Sequence, residues 1–137
     1  MKIKDEILLW FPEWEKYSTR KLISSFGDEE CIWIEIPSPA DENQNLIIEA
    51  FDKAVVIYFG PTHLHIDCVP NQEVFDAIKE ITTKIFNEQW VAFRAKTFFF
   101  YKYYGIGAVD QYNKKKRENK ILESYSWKGT YNYIKNK

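Results

Sequence analysis

The 137-residue sequence predicts an α+β fold, with an antiparallel sheet of about five to seven strands and two helices packed mainly on one face. Apolar, β-branched segments separated by short turns recur along the chain, which is typical of antiparallel strands. Two other segments, near the N-terminus and after residue 71, repeat apolar residues at helical spacing. Because this length favours one domain with a single core, we expect residues 1–137 to form one domain.

The composition indicates a globular protein whose charge is unevenly distributed. Hydrophobic residues make up 45% of the chain and aromatic residues 18%, which excludes a disordered protein. The formal net charge is −1, yet eight Lys/Arg and only two Asp/Glu lie from Lys114 onward, so the preceding residues are acidic. The charged segment Met1–Glu6 does not resemble a signal peptide, and no apolar run reaches about 20 residues. We therefore expect a cytoplasmic protein with no membrane segment and reduced cysteines.

The longest apolar run lies in the middle of the chain and predicts three strands. The first two, Leu46–Phe51 and Ala54–Phe59, are joined by a two-residue turn at Asp52-Lys53. A break at Gly60-Pro61-Thr62 precedes the third strand, His63–Asp67. Because the first two strands are apolar on both faces, we place them centrally in the sheet.

The third strand carries the sharpest cluster of polar side chains. Alternation turns Leu64 and Ile66 to one face, and His63, His65 and Asp67 to the other. Two imidazoles at positions i and i+2 of a strand could share a metal ion with a carboxylate. The pair is also similar to the paired histidines of cupins, but that family needs a third histidine and this chain has two. We therefore expect an exposed polar face or a partner contact, with no metal site and no cofactor.

The segment before this run predicts a helix and a strand. The helix extends from Lys4 to Phe26, is interrupted near Pro12 and ends at Gly27 as its C-cap. One apolar stripe supports it, formed by Ile7, Trp10, Trp14 and Tyr17. The strand Cys31–Ile36 follows, with its isoleucines on one face and Cys31, Trp33 and Glu35 on the other.

The second half predicts one helix and further strands. The helix begins at Asn71 as N-cap and ends near Glu88, with an apolar stripe formed by Val74, Ile78, Ile81 and Ile85. The segment Trp90–Tyr104 predicts strand with a break near Ala95–Thr97, ended by Gly105-Ile106-Gly107. A short helical turn is expected within Val109–Asn119, and a last strand over Ile121–Trp127.

No catalytic motif stands out, so we do not expect an enzyme. The chain has no Gly-x-Ser-x-Gly elbow, no P-loop and no dinucleotide-binding glycine motif. Cys68 follows Asp67, but strand alternation turns it away from His63 and His65. The carboxylates Glu35 and Glu49 have no partner that the sequence identifies.

An aromatic and basic region raises the alternative of nucleic-acid or small-ligand binding. Aromatic residues in Phe98–Tyr104 could stack on bases, and the basic run Lys114–Arg117 could contact phosphates. The region lacks the aromatic-glycine pattern of a recognised RNA-binding module, and the acidic body would oppose a polyanion. A nucleic-acid partner is therefore the less favoured hypothesis.

Three segments, in this order, resemble small bacterial immunity proteins that protect a cell against polymorphic toxins. The first is AVVIYFGPTHLHID (Ala54–Asp67), an apolar strand followed by a short turn and a His-x-His segment. The second is VFDAIKEITTKIFNEQWVAF (Val74–Phe93), a helix and the strand after it. The third is Ser126–Tyr131, close to a Ser-Trp-x-Gly-x-Tyr ending. The resemblance covers roughly the last two-thirds of the chain and rests on the order of the segments.

The resemblance implies a non-enzymatic inhibitor, or antitoxin, that binds a cognate toxin domain and occludes its active site or an adjacent surface. Aromatic anchors and complementary charge are typical of such interfaces. The candidate partner-binding residues are His63, His65, Asp67, Tyr103, Tyr104 and Trp127.

Overall fold

The computed structural model contains two antiparallel sheets and α-helices, which confirms the predicted α+β class. It describes residues 1–23, 27–41, 43–67, 72–97 and 101–135. Within these ranges the strands divide into one sheet of five strands and one of four, where the sequence predicted one sheet of about five to seven.

The chain forms two compact units that differ in charge. The first unit comprises 1–36, 46–58 and 63–80, and the second comprises 37–45, 59–62 and 81–137. Seven Lys/Arg and fourteen Asp/Glu give the first unit a formal charge of −7, whereas twelve and six give the second unit +6. The uneven charge along the sequence therefore follows the division of the structure.

The first sheet confirms the four strands predicted before residue 68 and adds one that was not predicted. Its strands, in the spatial order β1-β2-β3-β4-β5, are β1 Ser18–Lys21, β2 Cys31–Ile36, β3 Leu46–Ala50, β4 Ala54–Phe59 and β5 Thr62–Asp67. The Phe51 N–H donates to the Ala54 carbonyl at 2.9 Å, which closes the predicted two-residue turn at Asp52-Lys53. As expected, β3 and β4 lie inside the sheet, whereas β5 is an edge strand.

The predicted helix over Lys4–Phe26 is wrong over the described residues that follow Tyr17, which are 18–23. The helix α1 spans Ile3–Trp10, and Pro12 begins a separate 3₁₀ helix, Pro12–Tyr17. The strand β1 follows directly and pairs with β2. The residues that would precede Gly27 as a C-cap, 24–26, lie outside the described residues. Because the four residues of β1 have no alternating apolar pattern, only pairing with β2 reveals them as a strand.

The second sheet has the strand order β7-β6-β8-β9. Its strands are β6 Trp90–Lys96, β7 Lys102–Ala108, β8 Ile121–Tyr125 and β9 Tyr133–Ile134. The predicted break near Ala95–Thr97 is confirmed, because β6 ends at Lys96, but β7 continues through the glycines that were expected to end it. A Cβ on Gly105 would lie 3.0 Å from Cζ of Phe93, so a side chain at this position would crowd the ring that lies against the backbone.

In the second half, one helix is longer than the sequence indicated and the other lies close to its predicted bounds. The helix α3 spans Val109–Arg117, where only a short turn was expected, and β9 was not predicted at all. The helix α2 spans Gln72–Phe86, close to the predicted bounds, and the proposed N-cap Asn71 lies outside the described residues.

The apolar stripe of α2 is correct at three of its four positions. Val74, Ile78 and Ile85 are fully buried, whereas Ile81 is half-buried and its neighbour Thr82 is buried instead. Both positions follow Ile78 at helical spacing, so the periodicity alone did not distinguish them.

The Ser-Trp-x-Gly-x-Tyr segment folds into a compact turn in the second unit. The Ser126 hydroxyl accepts a hydrogen bond from the Tyr131 N–H at 2.9 Å, and the Gly129 N–H donates to the Ser126 carbonyl at 3.0 Å. Gly129 has a φ of +83°, and an added Cβ would lie 3.1 Å from Cβ of Ala40. The serine and the glycine of the motif are therefore explained by the turn itself.

A single carboxylate holds this turn from outside. Glu88, which has a φ of +55°, accepts hydrogen bonds from the N–H groups of Lys128 and Thr130, both at 3.1 Å, and from the Thr130 hydroxyl at 2.6 Å. Burial alone would raise the pKa of Glu88, but the hydrogen bonds from Ser126, Thr130 and Lys128 outweigh it and lower the pKa below its usual value.

Replacing Ile78 with alanine should lower the free energy of unfolding by about 2–5 kcal/mol, because the side chain is fully buried in α2. The same replacement at the half-buried Ile81 should lower the free energy of unfolding clearly less. Denaturant unfolding of both variants at neutral pH measures the two losses. Equal losses would show that the buried side of α2 is assigned incorrectly.

The variant Glu88→Gln should lose about 1–3 kcal/mol of stability at pH 7, because the charged acceptor of three hydrogen bonds is removed. A carboxyl whose folded pKa is lowered stabilises the fold above its unfolded pKa of 4.5 and loses that contribution as the pH falls further. The stability gap to the wild type should therefore narrow below about pH 4.5. Thermal melts between pH 3 and 7, with exposed Glu13→Gln as control, test this; a gap independent of pH would contradict it.

Candidate functional site

The first sheet has one apolar face and one chemically varied face. Ile32, Ile34 and Ile48 belong to the apolar face and are buried in the core. Strand pairing places every second residue of the five strands on the opposite face, which we call the histidine face. Its members in the first unit include Lys21, Cys31, Trp33, Glu35, Ile47, Glu49, Val56, Tyr58, His63, His65 and Asp67.

Aromatic and imidazole rings form a row across the histidine face. The ring centroids of Trp33 and Tyr58 are 6.3 Å apart, and those of Tyr58 and His63 are 5.8 Å apart. His63 and His65 follow at 4.9 Å, with their rings nearly perpendicular. The Lys21 ammonium lies 3.8 Å from the centroid of Trp33, within the range of a cation–π interaction. The row thus joins β2, β4 and β5.

A buried carboxylate lies beneath this row. Glu49 is fully buried, and the Tyr58 hydroxyl donates to its Oε1 at 3.0 Å. Burying a carboxylate without hydrogen bonds would be costly, so this contact fixes the Tyr58 ring as well as satisfying Glu49. The sequence identified no partner for Glu49, because the strand register that brings β3 and β4 together cannot be derived from either strand alone.

The thiol on this face is not poised for nucleophilic chemistry. Cys31 is buried against Phe51 and Val56. Burial, and then the charge of Glu49, raises the pKa of the Cys31 thiol, which keeps it protonated at neutral pH. Cys68 lies outside the described residues.

A cavity of about 480 Å³ opens beside the β3–β4 turn in the first unit. It is lined by Glu29, Phe51, Asp52, Lys53, Ala54, Val56, His65 and Asp67. Since Val56, His65 and Asp67 also belong to the histidine face, the cavity and the ring row form one continuous surface.

The first helix holds the turn that borders this cavity. The N–H groups of Ile3 and Lys4 donate to the carbonyls of Asp52 and Phe51, both at 3.0 Å. These two bonds satisfy amides at the helix N-terminus that have no partner within α1. The turn is therefore anchored by backbone contacts, independently of its own side chains.

An ion-pair network links α1, the β3–β4 turn, β1 and the segment before β2. The Lys4 ammonium lies 3.4 Å from Oδ1 of Asp52 and 3.4 Å from Oε1 of Glu30, and Nη1 of Arg20 lies 2.9 Å from the same Glu30 oxygen. Burial alone would lower the pKa of Lys4, but hydrogen bonds to Asp52 and Glu30 raise it, so the ammonium stays charged. Asp52 and Glu30 are thus engaged, whereas Glu29 and Asp67 have no ion pair among the described residues.

The structure brings together three of the six sequence-predicted site residues. His63, His65 and Asp67 are exposed on one side of β5, as predicted, next to Trp33 and Tyr58. The sequence placed Trp33 on a face with Glu35, but it did not connect that face to β5. Strand alternation was the signal for each strand, and the missing information was the register between strands.

The other three predicted residues lie in the second unit. Tyr104 is exposed on β7, and Tyr103 is half-buried with its ring 6.2 Å from that of Phe93. Trp127 is only 8% exposed, and its ring packs against Phe59 at 6.1 Å and Phe86 at 4.7 Å. Its size and burial give Trp127 a role in the core of the second unit.

The basic run lies on α3 in the second unit. The Lys115 ammonium lies 5.4 Å from the ring centroid of Tyr103, and that of Lys116 lies 3.6 Å from the centroid of Tyr133. A cavity of about 410 Å³ beside this helix is lined by Gln111, Lys114, Lys115, Glu118 and Lys120. The aromatic residues Phe98–Phe100 of the alternative hypothesis lie outside the described residues.

Neither a metal centre nor a membrane helix is found in the part of the chain that the structure describes. No group of three or more His, Cys, Asp or Glu side chains in these ranges is placed to hold a metal ion. None of the described helices is long and apolar enough to cross a membrane.

Comparisons of the chain with protein-family models, with curated proteins and with solved structures give no match. The similarity to immunity proteins therefore rests on the three sequence segments, and function has to be argued from the site.

Trp127→Ala should lower the free energy of unfolding by about 3–5 kcal/mol, because a large ring is removed from a packed environment. His65→Ala should change it by less than about 0.5 kcal/mol, because the imidazole is exposed. Denaturant melts of the two variants distinguish a core residue from a surface residue. A stable Trp127→Ala protein would contradict the core assignment.

Proposed function

We propose that this protein is an immunity protein that neutralises one bacterial toxin domain by binding it directly, without turnover. The observation that carries the proposal is the row of Trp33, Tyr58, His63 and His65 on the histidine face. Protein interfaces concentrate their binding energy in a few aromatic and charged anchors surrounded by polar groups. The row, with Asp67 at its end, has this composition.

The layout of the face favours a protein partner over a reaction. The ring row extends over β2, β4 and β5, and its groups do not converge on a single point as acid, base and nucleophile would. The buried Glu49 supports Tyr58 from below, which keeps the ring in place before a partner arrives. A preorganised anchor loses little conformational freedom on binding.

The charge of the first unit favours a basic partner. The histidine face belongs to the unit with a formal charge of −7, so its field attracts a positively charged domain. Electrostatic attraction of this kind raises the association rate more than the final affinity. Fast capture suits an inhibitor that must act before a toxin reaches its substrate.

Nucleic-acid binding is the second candidate, and the second unit favours it. That unit has a formal charge of +6, and α3 carries four consecutive cationic residues, Lys114–Arg117. However, lysine ammonium groups already lie against the rings of Tyr103 and Tyr133, which reduces the ring surface open to stacking bases.

Co-expression with the toxin domain encoded beside the gene should restore growth, and the purified proteins should form a complex with nanomolar or tighter affinity, about −12 kcal/mol. Trp33→Ala and His63→Ala should each weaken binding by about 1–3 kcal/mol, because they remove parts of the ring row. Calorimetry measures the affinity, and growth measures protection.

The matched control is Leu9→Ala, which removes an exposed apolar side chain of α1 away from the histidine face. It should bind like the wild type. Absence of both protection and complex would refute the immunity proposal. Binding of nucleic acid that weakens steeply with salt would favour the second candidate.

A further inference from the structure

The cavity beside the β3–β4 turn combines two kinds of wall. Its inner side is formed by Phe51, Ala54 and Val56, and two of these side chains are almost fully buried. Carboxylates border it from two other segments, Glu29 before β2 and Asp67 at the end of β5. At about 480 Å³ the cavity lies within the range of protein pockets that hold small ligands or side chains.

The charges around the cavity are not balanced within the described residues. Asp52 also borders it, but this carboxylate already lies 3.4 Å from the Lys4 ammonium. Glu29 and Asp67 form no ion pair with any residue that the structure describes. Among the described residues that line the cavity, only Lys53 carries an ammonium group. The cavity therefore keeps an excess of negative charge above an apolar wall.

A lysine or arginine side chain matches both walls. Each has an aliphatic stem that can lie along apolar surface and a cationic head that stays with carboxylates or water. A small inorganic cation or a wholly apolar group would match only one of the two walls, and an anion would match neither.

We propose that this cavity receives a lysine or arginine side chain of the protein partner. The inference rests on the proposed function and goes beyond it by naming the chemical group that the partner inserts. The cavity shares Val56, His65 and Asp67 with the histidine face, so a protein bound over the ring row also covers the cavity. The charge of −7 on the first unit favours a partner that carries such cations.

The first experiment uses the protein alone. N-acetyl-arginine amide and N-acetyl-lysine amide are titrated while the methyl resonances of Ala54 and Val56 are followed by NMR. N-acetyl-citrulline amide is the control, because it has nearly the shape of the arginine probe and no charge. Saturable shifts with the two cations, at least tenfold weaker with citrulline, are expected. Equal binding of citrulline would overturn the inference.

The second experiment measures affinity for the toxin domain with variants of the carboxylates. Asp67→Asn combined with Glu29→Gln should weaken binding at least tenfold and reduce its salt dependence, because both unpaired carboxylates lose their charge. Glu13→Gln is the matched control: it neutralises an exposed carboxylate of the 3₁₀ helix in the same unit, which belongs neither to the histidine face nor to the cavity lining, and it should change affinity less than twofold.

The variant Lys53→Gln is expected to strengthen binding of a cation in the cavity. It removes the cation on the cavity lining from an exposed position, so the fold should be unaffected and binding of the arginine probe should become two- to fivefold tighter. Unchanged or weaker binding would count against the inference, even if the double carboxylate variant failed to fold.

The outcomes separate the two proposals. If the toxin domain binds and the cavity variants behave like Glu13→Gln, the inference is overturned while the immunity function stands. If no toxin domain binds but the arginine probe follows the expected order of variants, the immunity proposal fails and the preference of the cavity for a cation is supported.

Discussion

The antiparallel register of β2, β3 and β4 is the constraint on which the rest of the first unit depends. Pairing of Trp33 with Glu49, and of Glu49 with Val56, decides which side chains share a face. Because side chains alternate along a strand, a slip of one residue would move the core isoleucines to the histidine face and turn Glu49 into the core. The apolar face resists such a slip, since burial of its isoleucines outweighs any preference of the polar residues. The histidine face is thus held in register by the core on the other side of the same sheet.

The sequence predicted what local alternation and helical spacing determine, and missed what depends on a partner strand. The bounds of β2 and β4 and the orientation of His63 and His65 follow from alternation within one strand. The strand β1 and the contact between Tyr58 and Glu49 require knowledge of the neighbouring strand, which no single segment contains. Helical spacing likewise placed most of the α2 stripe correctly, but it could not rank two adjacent residues that lie at the edge of the same stripe.

The Ser126–Tyr131 segment, one of the three on which the predicted resemblance to immunity proteins rests, has a structural explanation in this chain. Ser126 and Gly129 build the turn, Trp127 fills the core of the second unit, and Glu88 binds the backbone from outside. A shared motif of this kind implies a shared turn, and it says little about which partner is bound. Specificity then has to come from residues that the fold does not need, such as the exposed histidines of β5. Surface residues of this kind can change with the partner while the turn stays the same.

The small net charge conceals two opposite local fields. Charges interact mainly within about one Debye length, roughly 8–10 Å at physiological salt, so the charges of the first unit around the histidine face matter more to a partner there than the net charge of the chain. Added salt weakens the capture of a basic protein by the first unit and the capture of a polyanion by the second unit alike. Salt dependence alone therefore does not separate the two candidate functions. Charge changes confined to one unit distinguish the two candidates. Neutralising the carboxylates near Asp67 should weaken binding of a basic protein, whereas neutralising Lys114–Arg117 should weaken binding of a nucleic acid.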